Sequence, residues 1–492
     1  MIKLFISIIV IVLLVIQTSA QNCNCTESFD WMVKTIEQND AGFKYVVDKK
    51  GIDNYNKFTS EIRKKTEGEK SQTACRKIME NWLLYFREGH LAVRIKNTNE
   101  DKILPNDSIV QQQYKNEKTI DLTEKQLIDI LEKKEERNPI EGIWYYNNNN
   151  NTYTLGIIRN EKSDKKFTAF IIKADSAYWL PKQVKAELTL NDDNKTYSVD
   201  FKMRDHSLQK FQLKFGNESN NIFYLIDNYW TRLYPENNLT INEKLLISFN
   251  NSKIPFIQQL NDKTLYLRIP SFYYNQKRYI DSILFKYDSL LKSTPNLIID
   301  IRNGTGGSSH SWEKIIPYLY TNPIRLANNL YKASELNAKE YDNYAKDFKD
   351  SIISTRCHLT AIRMREHIGE LISLSDSKYV NFTLEKVYPY PHNVGIICNK
   401  ANASADEGFL TYAIQSKKVK LFGTTTAGMI DIANMKTIDF PDGNFVLYYG
   451  MTISTSAHEN PIEGIGFQPD YFIDSSIDEN DRIEYTKSIL EH

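Results

Sequence analysis

Apolar positions recur at spacings of three and four between about residues 27 and 88, in FDWMVKTIEQ, YNKFTSEIRKK and TACRKIMENWLLYF, and this period predicts amphipathic helices. They define an N-terminal helical domain over 21–96. A polar, charged link follows over 96–138, and the texture then changes to short alternating segments: TYTLGII, FTAFIIKA, VKAELTL, YSVDFKM and NIFYLI. Alternation broken by Asn- and Asp-rich turns predicts an all-β module over 139–240, with the run NNNNN at 147–151 as a solvated hairpin loop. From residue 264 the pattern changes once more. TLYLRIPSF reads as a strand, YIDSILFKYDSLLKS as an amphipathic helix, and NLIIDIR as a strand apolar enough to be buried on both faces. Strand, helix, strand implies a parallel crossover. A charged helical insertion around 333–372, the strands VGIIC and VKLFG, and the hairpin-like KTIDFPDGNFVLYYG complete an α/β domain over 255–480.

The first twenty residues stand apart. One lysine, an apolar run from Leu4 to Ile16 and the small residues Ser19 and Ala20 form the layout of a secretory signal peptide, 1–20. The run is short for a bilayer span, so no stable membrane span is expected after its removal. The mature chain would be exported, periplasmic or extracellular. In that oxidising space one of Cys23 or Cys25 is expected to pair with Cys75, while Cys398, inside VGIIC, reads as a core thiol. The 62 basic residues balance 62 acidic ones, so no overall field draws in nucleic acid. No metal-ligand spacing appears, and neither a metal nor a cofactor is expected.

The chemistry is concentrated in NKANASADEGFL, residues 399–410. Ser404 follows a buried strand and opens a helix. A serine there is ordinarily a cap, its hydroxyl accepting a backbone N–H two or three residues on. The alternative is a nucleophile, because the free N–H groups and the dipole of a helix start favour a developing oxyanion.

Four ordered segments bear on that choice. NLIIDIRNGTGGSS resembles the strand and glycine-rich loop of the S41 serine peptidases, which include the C-terminal processing proteases and the tricorn-type core. NKANASADEGFLTYAI resembles their nucleophile helix, and KLFGTTTAG followed by FPDG and EGIGFQPD resembles the segments that close the domain. The resemblance covers about residues 264–475 and carries no glycine-rich carboxylate-binding loop of the PDZ kind. It implies an α/β catalytic domain with a ClpP/crotonase-like β-α-β core, and a peptide or protein substrate. It also implies Ser404 as nucleophile, with the oxyanion held by the backbone N–H groups of Ala405 and Gly306. The processing-protease branch would place a lysine base where Met429 stands, and Lys436, further on, reads as a solvated strand residue. The tricorn-like branch implies a histidine at the end of the helical region, here His90 in FREGHLAV, and a glutamate before the closing Gly…Pro-Asp, here Glu463. Gly89 stands where that branch has a serine. A histidine titrating near ~6.5 can take the serine proton and return it to the leaving amine. His310, in GGSSHSW, is the rival base, with lining of the groove or capping of the next helix as its plainer role. A non-catalytic binding protein on the same fold and a serine hydrolase acting on esters are the other readings. The lack of a Gly-x-Ser-x-Gly elbow weighs against the usual α/β-hydrolase.

Overall fold

The computed structural model describes residues 23–492 apart from 97–113, the short stretches 149–150, 175–177, 204–205, 216–219, 226–227 and 237–238, and positions 475, 478 and 480. The signal-peptide segment therefore lies outside the described residues. Among the described residues no helix is long and apolar enough to cross a membrane.

The chain forms two compact units. The first draws on three separate stretches, up to residue 98, 327–378 and 431–464; the second holds 99–326, 379–430 and 465–492. The N-terminal helices Cys25–Asn39, Phe43–Lys50, Ile52–Thr66 and Gln72–Leu83 thus do not close a core by themselves. Their apolar faces pack Phe29, Met32, Trp82 and Phe86 into one cluster with Ala338, Met364, Leu447 and Met451. The physical reason is the strand Phe445–Ser454. It pairs antiparallel with Ala92–Ile95, with Asn329–Lys332 and with Ile432–Asp439, so the later segments supply the sheet on which the helices rest. Within 255–480, residues 327–378, which include the charged helical insertion, and 431–464 belong to the first unit. A disulfide joins Cys25 to Cys75, across a separation of 50 residues, and Cys23 remains a buried thiol.

The second unit contains two β structures. Eight antiparallel strands between Gly142 and Tyr234 close into a barrel, first strand against last. The alternation seen in the sequence puts Trp144, Phe167, Tyr197, Phe223 and Trp230 inside. The Asn run does not loop out as a block, because Asn147 and Asn148 pair with Thr152 and Asn151 across the hairpin.

The other sheet has six strands, in the order Phe256–Gln259, Thr264–Arg268, Asn296–Asp300, Asn393–Cys398, Val419–Gly423 and Tyr471–Phe472. Its first pair is antiparallel and the rest are parallel. Thr264–Arg268 and Asn296–Asp300 are buried along their whole length, as expected of parallel strands covered on both faces. The carboxyl ends of Asn296–Asp300 and Asn393–Cys398 lead into the glycine-rich loop and the Ser404 turn, the end of such a sheet where ligands bind.

Candidate functional site

In the second unit, strand Asn393–Cys398 delivers the chain into the turn that opens helix Ala405–Ala413. Ser404 occupies the cap position there, and its side chain makes no capping hydrogen bond. Its backbone sits at φ 56° and ψ −116°, in positive-φ space that a non-glycine residue reaches at a cost of about 1–3 kcal/mol. Two backbone bonds hold it: its N–H donates to Met429 O at 3.1 Å, and its carbonyl accepts Gly408 N–H at 2.8 Å. A half-buried hydroxyl on a strained turn, released from the capping bond, is available for chemistry.

The glycine-rich loop lies directly against this turn. Gly306 has φ +88°, and a Cβ built on it would fall 2.8 Å from Ser404 Cβ, 2.9 Å from Ala403 O and 3.3 Å from Ala405 N. Ala405 starts the helix, so its N–H belongs to the first turn, whose amides have no intrahelical acceptor. The loop is anchored by a buried charge network. Asp300 accepts from Tyr266 Oη at 3.0 Å and from the backbone N–H and the guanidinium of Arg302, whose far end reaches Glu479 at 2.7 Å. Burial pushes the Asp300 carboxyl up, but Arg302 and Arg268 outweigh it and hold the group below the usual range. Replacing Gly306 by alanine is expected to force the loop off the Ser404 turn. Activity should fall by on the order of 100-fold while the circular dichroism spectrum is retained, which steady-state kinetics would check.

Two acids follow the serine, and neither was singled out in the sequence. Asp406 is buried, with its carboxylate 2.8 Å from Asn402 Nδ2 and only 2.5 Å from where a Cβ on Gly304 would lie. Burial pushes its pKa up to about 7, while Asn402 and the backbone N–H groups of Gly306 and Ala403 pull it down. Glu407 is fully buried and accepts from Thr426 Oγ1, Gly428 N and Met429 N at 2.5, 2.7 and 2.6 Å. Burial raises its pKa against those donors. An acid in a first helical turn reads from sequence as a complement to the dipole; the donors that reveal another use lie 19–22 residues later. His310 is exposed, and its Nδ1 lies 2.7 Å from Glu313 Oε1.

The first unit holds His90 and Glu463. His90 has φ 53° in a turn clamped by Arg87, which donates to Gly89 O at 3.0 Å and to His90 O at 3.1 Å. The Arg87 guanidinium is itself paired with the buried Asp40 carboxylate. Nδ1 of His90 bonds the carbonyl of Ile432, which makes Nδ1 the protonated nitrogen and leaves the Nε2 lone pair to act as a base. Burial lowers the His90 pKa and Arg87 lowers it further, against the Ile432 bond and Asp40, so the ring is neutral at pH 7. Glu463 is half-buried, its N–H donating to Asp431 Oδ2 at 2.9 Å. Asp431, adjacent to Ile432, also accepts Ile462 N–H, and so ties the Glu463 loop to the strand that carries the His90 acceptor. Lys436 is not the solvated residue its strand alternation suggests. It is buried, with Nζ 2.5 Å from Glu340, because helix Glu335–Asp347 supplies a carboxylate over that face.

Residues 263–473 match the model of peptidase family S41. No curated protein matches the chain. Among solved structures, the mature form of CPAF complexed with lactacystin is 11% identical, with 95% of this chain and 97% of that one covered and a TM-score of 0.49. The photosystem II D1 C-terminal processing protease is 10% identical over 96% and 98% of the two chains, with a TM-score of 0.37. The tricorn protease is 11% identical over 95% of this chain and 36% of its own, with a TM-score of 0.41. The family match thus rests on residues 263–473, which resemble the serine-type peptidases of family S41.

Proposed function

We propose that the protein is an exported endopeptidase in which Ser404 attacks the scissile carbonyl and His90 acts as the general base. The conformation of Ser404 carries the reading: a serine at positive φ, uncapped, against a glycine loop and at the start of a helix. In the proposed cycle the Ser404 proton passes to Nε2 of His90 as the Oγ–C bond forms. The carbonyl electrons move onto the oxyanion, to which the backbone N–H groups of Ala405 and Gly306 donate. Collapse breaks the C–N bond and His90 returns the proton to the leaving amine; water then repeats the sequence on the acyl-serine. Glu463 is assigned the stabilisation of the charged imidazole. A neutral His90 with Nδ1–H engaged suits the base role, and the Cys25–Cys75 disulfide suits export to an oxidising space.

The test is labelling of the purified protein with a fluorophosphonate probe, followed by a panel of peptide and ester substrates. Labelling at Ser404 with cleavage inside peptides is expected. A protein that resists the probe would be a binding protein on this fold, and one that is labelled but cleaves only esters would be a different hydrolase.

A further inference from the structure

The segment TTTAGM, where one branch of the family would carry a lysine, ends instead on Met429 and is laced to the start of the nucleophile helix. Its bonds run through one acid. The Glu407 carboxylate takes the Thr426 hydroxyl and Gly428 N–H on Oε1, and Met429 N–H on Oε2. Met429 is then gripped at its other end, since its carbonyl accepts the Ser404 N–H at 3.1 Å. Two further ties fix the same loop: Ala427 N–H donates to Asn402 O at 2.9 Å, and Thr426 Oγ1 accepts Phe467 N–H at 2.8 Å. Ser404 and Glu407 are three residues apart across the helix start. The acid, the loop residue and the serine therefore form a closed ring: Glu407 to Met429 N–H, Met429 C=O to Ser404 N–H, and the helix back to Glu407.

A strained backbone persists only where its surroundings over-determine it, and the Met429 carbonyl is what fixes the Ser404 amide. We propose that Glu407 is a positioning residue for the peptidase reaction: acting through Met429, its carboxylate holds the Ser404 turn in the conformation from which the hydroxyl attacks. The inference rests on Ser404 being the nucleophile. A carboxylate is needed because every partner facing it is a donor. An amide of the same shape has one accepting oxygen, and its NH₂ would oppose the N–H of Gly428 or Met429. Glu407 is fully buried, so the swap alters no exposed surface and the loss should fall on the chemical step.

The experiment compares wild type, Glu407→Gln and Thr426→Val in the full chain. The readouts are kcat and KM on a cleaved peptide, the second-order rate of fluorophosphonate labelling, and the circular dichroism spectrum. Glu407→Gln is expected to keep its fold and a KM within about twofold, while kcat and the labelling rate fall together by on the order of 100-fold, the scale of a 1 Å misplacement. Thr426→Val removes one of the donors but leaves the charge, and should lower kcat and labelling by roughly tenfold at unchanged KM. A folded Glu407→Gln with wild-type kcat and labelling, or with its loss entirely in KM, overturns the proposal. If Glu407→Gln does not fold, an unchanged kcat in Thr426→Val overturns it and a loss confined to kcat supports it. A wild-type protein that is cleanly unlabelled refutes the nucleophile and the brace together, whereas labelling that is equal in wild type and variant refutes the brace alone.

Discussion

Ser404→Ala is expected to yield a folded protein that hydrolyses no peptide above background. The structure sharpens this. A capping serine would cost about 1 kcal/mol to remove, but Ser404 makes no capping bond, so its hydroxyl contributes less than that to the helix. Alanine at φ 56° meets the same backbone strain as serine, and the bond from residue 404 to Met429 uses only the backbone. Thermal unfolding should therefore move by a degree or so at most, while the covalent route disappears. Steady-state kinetics on a peptide substrate, with unfolding followed by circular dichroism, would check both halves; full activity in the variant would end the assignment.

The second large effect sets a histidine base at His90 against a lysine base at Lys436. His90→Ala should lower kcat by on the order of 10⁴-fold or more. Because His90 sits at φ 53°, which asparagine tolerates better than alanine, His90→Asn is the cleaner variant and should be equally inactive. Lys436→Met, which keeps the buried stem, should leave kcat nearly unchanged. The ammonium it removes is engaged by Glu340 and has no lone pair to offer, so the loss should appear as reduced stability. The pH profile gives an independent check. Burial lowers the His90 pKa, and a base must be neutral to act; kcat/KM should therefore rise with pH through an apparent value below the ordinary ~6.5 and be at its plateau by pH 7. An inactive, unfolded Lys436 variant would say nothing about catalysis. A folded and inactive one beside an active His90→Asn would reverse the assignment.

What was legible in the chain was what local pattern encodes. NLIID and VGIIC are continuous apolar runs, and they are buried parallel strands because nothing else accommodates apolar residues on both faces. The position of Ser404 at a helix start followed from the small residues after VGIIC. Its strained φ did not, since no residue type marks it there as glycine would. Lys436 misled because alternation reports which way a side chain points, not what a helix 96 residues away brings to meet it. The choice between Cys23 and Cys25 turned on where the first helix begins, a matter of two residues that periodicity does not resolve. Glu407 escaped for the same kind of reason: its partners are backbone amides of a loop, which have no signature in residue identity. The pairing of Ala92–Ile95 with Phe445–Tyr448 could not be read either, because alternation predicts a strand without naming its neighbour.

That last pairing has a consequence in time. The first unit is built from the beginning, the middle and a late part of the chain, and Ser28 bonds Asp442 across a sequence separation of 414. At synthesis rates of about 5–20 residues per second, the N-terminal helices wait roughly 20–80 s for the strand that completes their core. Throughout that interval the faces carrying Phe29, Met32 and Trp82 have no sheet to cover them. The His90 turn takes its acceptor from Ile432, so the proposed base would be among the last parts of the protein to be set in place. A nascent or truncated chain would thus carry the serine helix before it carried a working base.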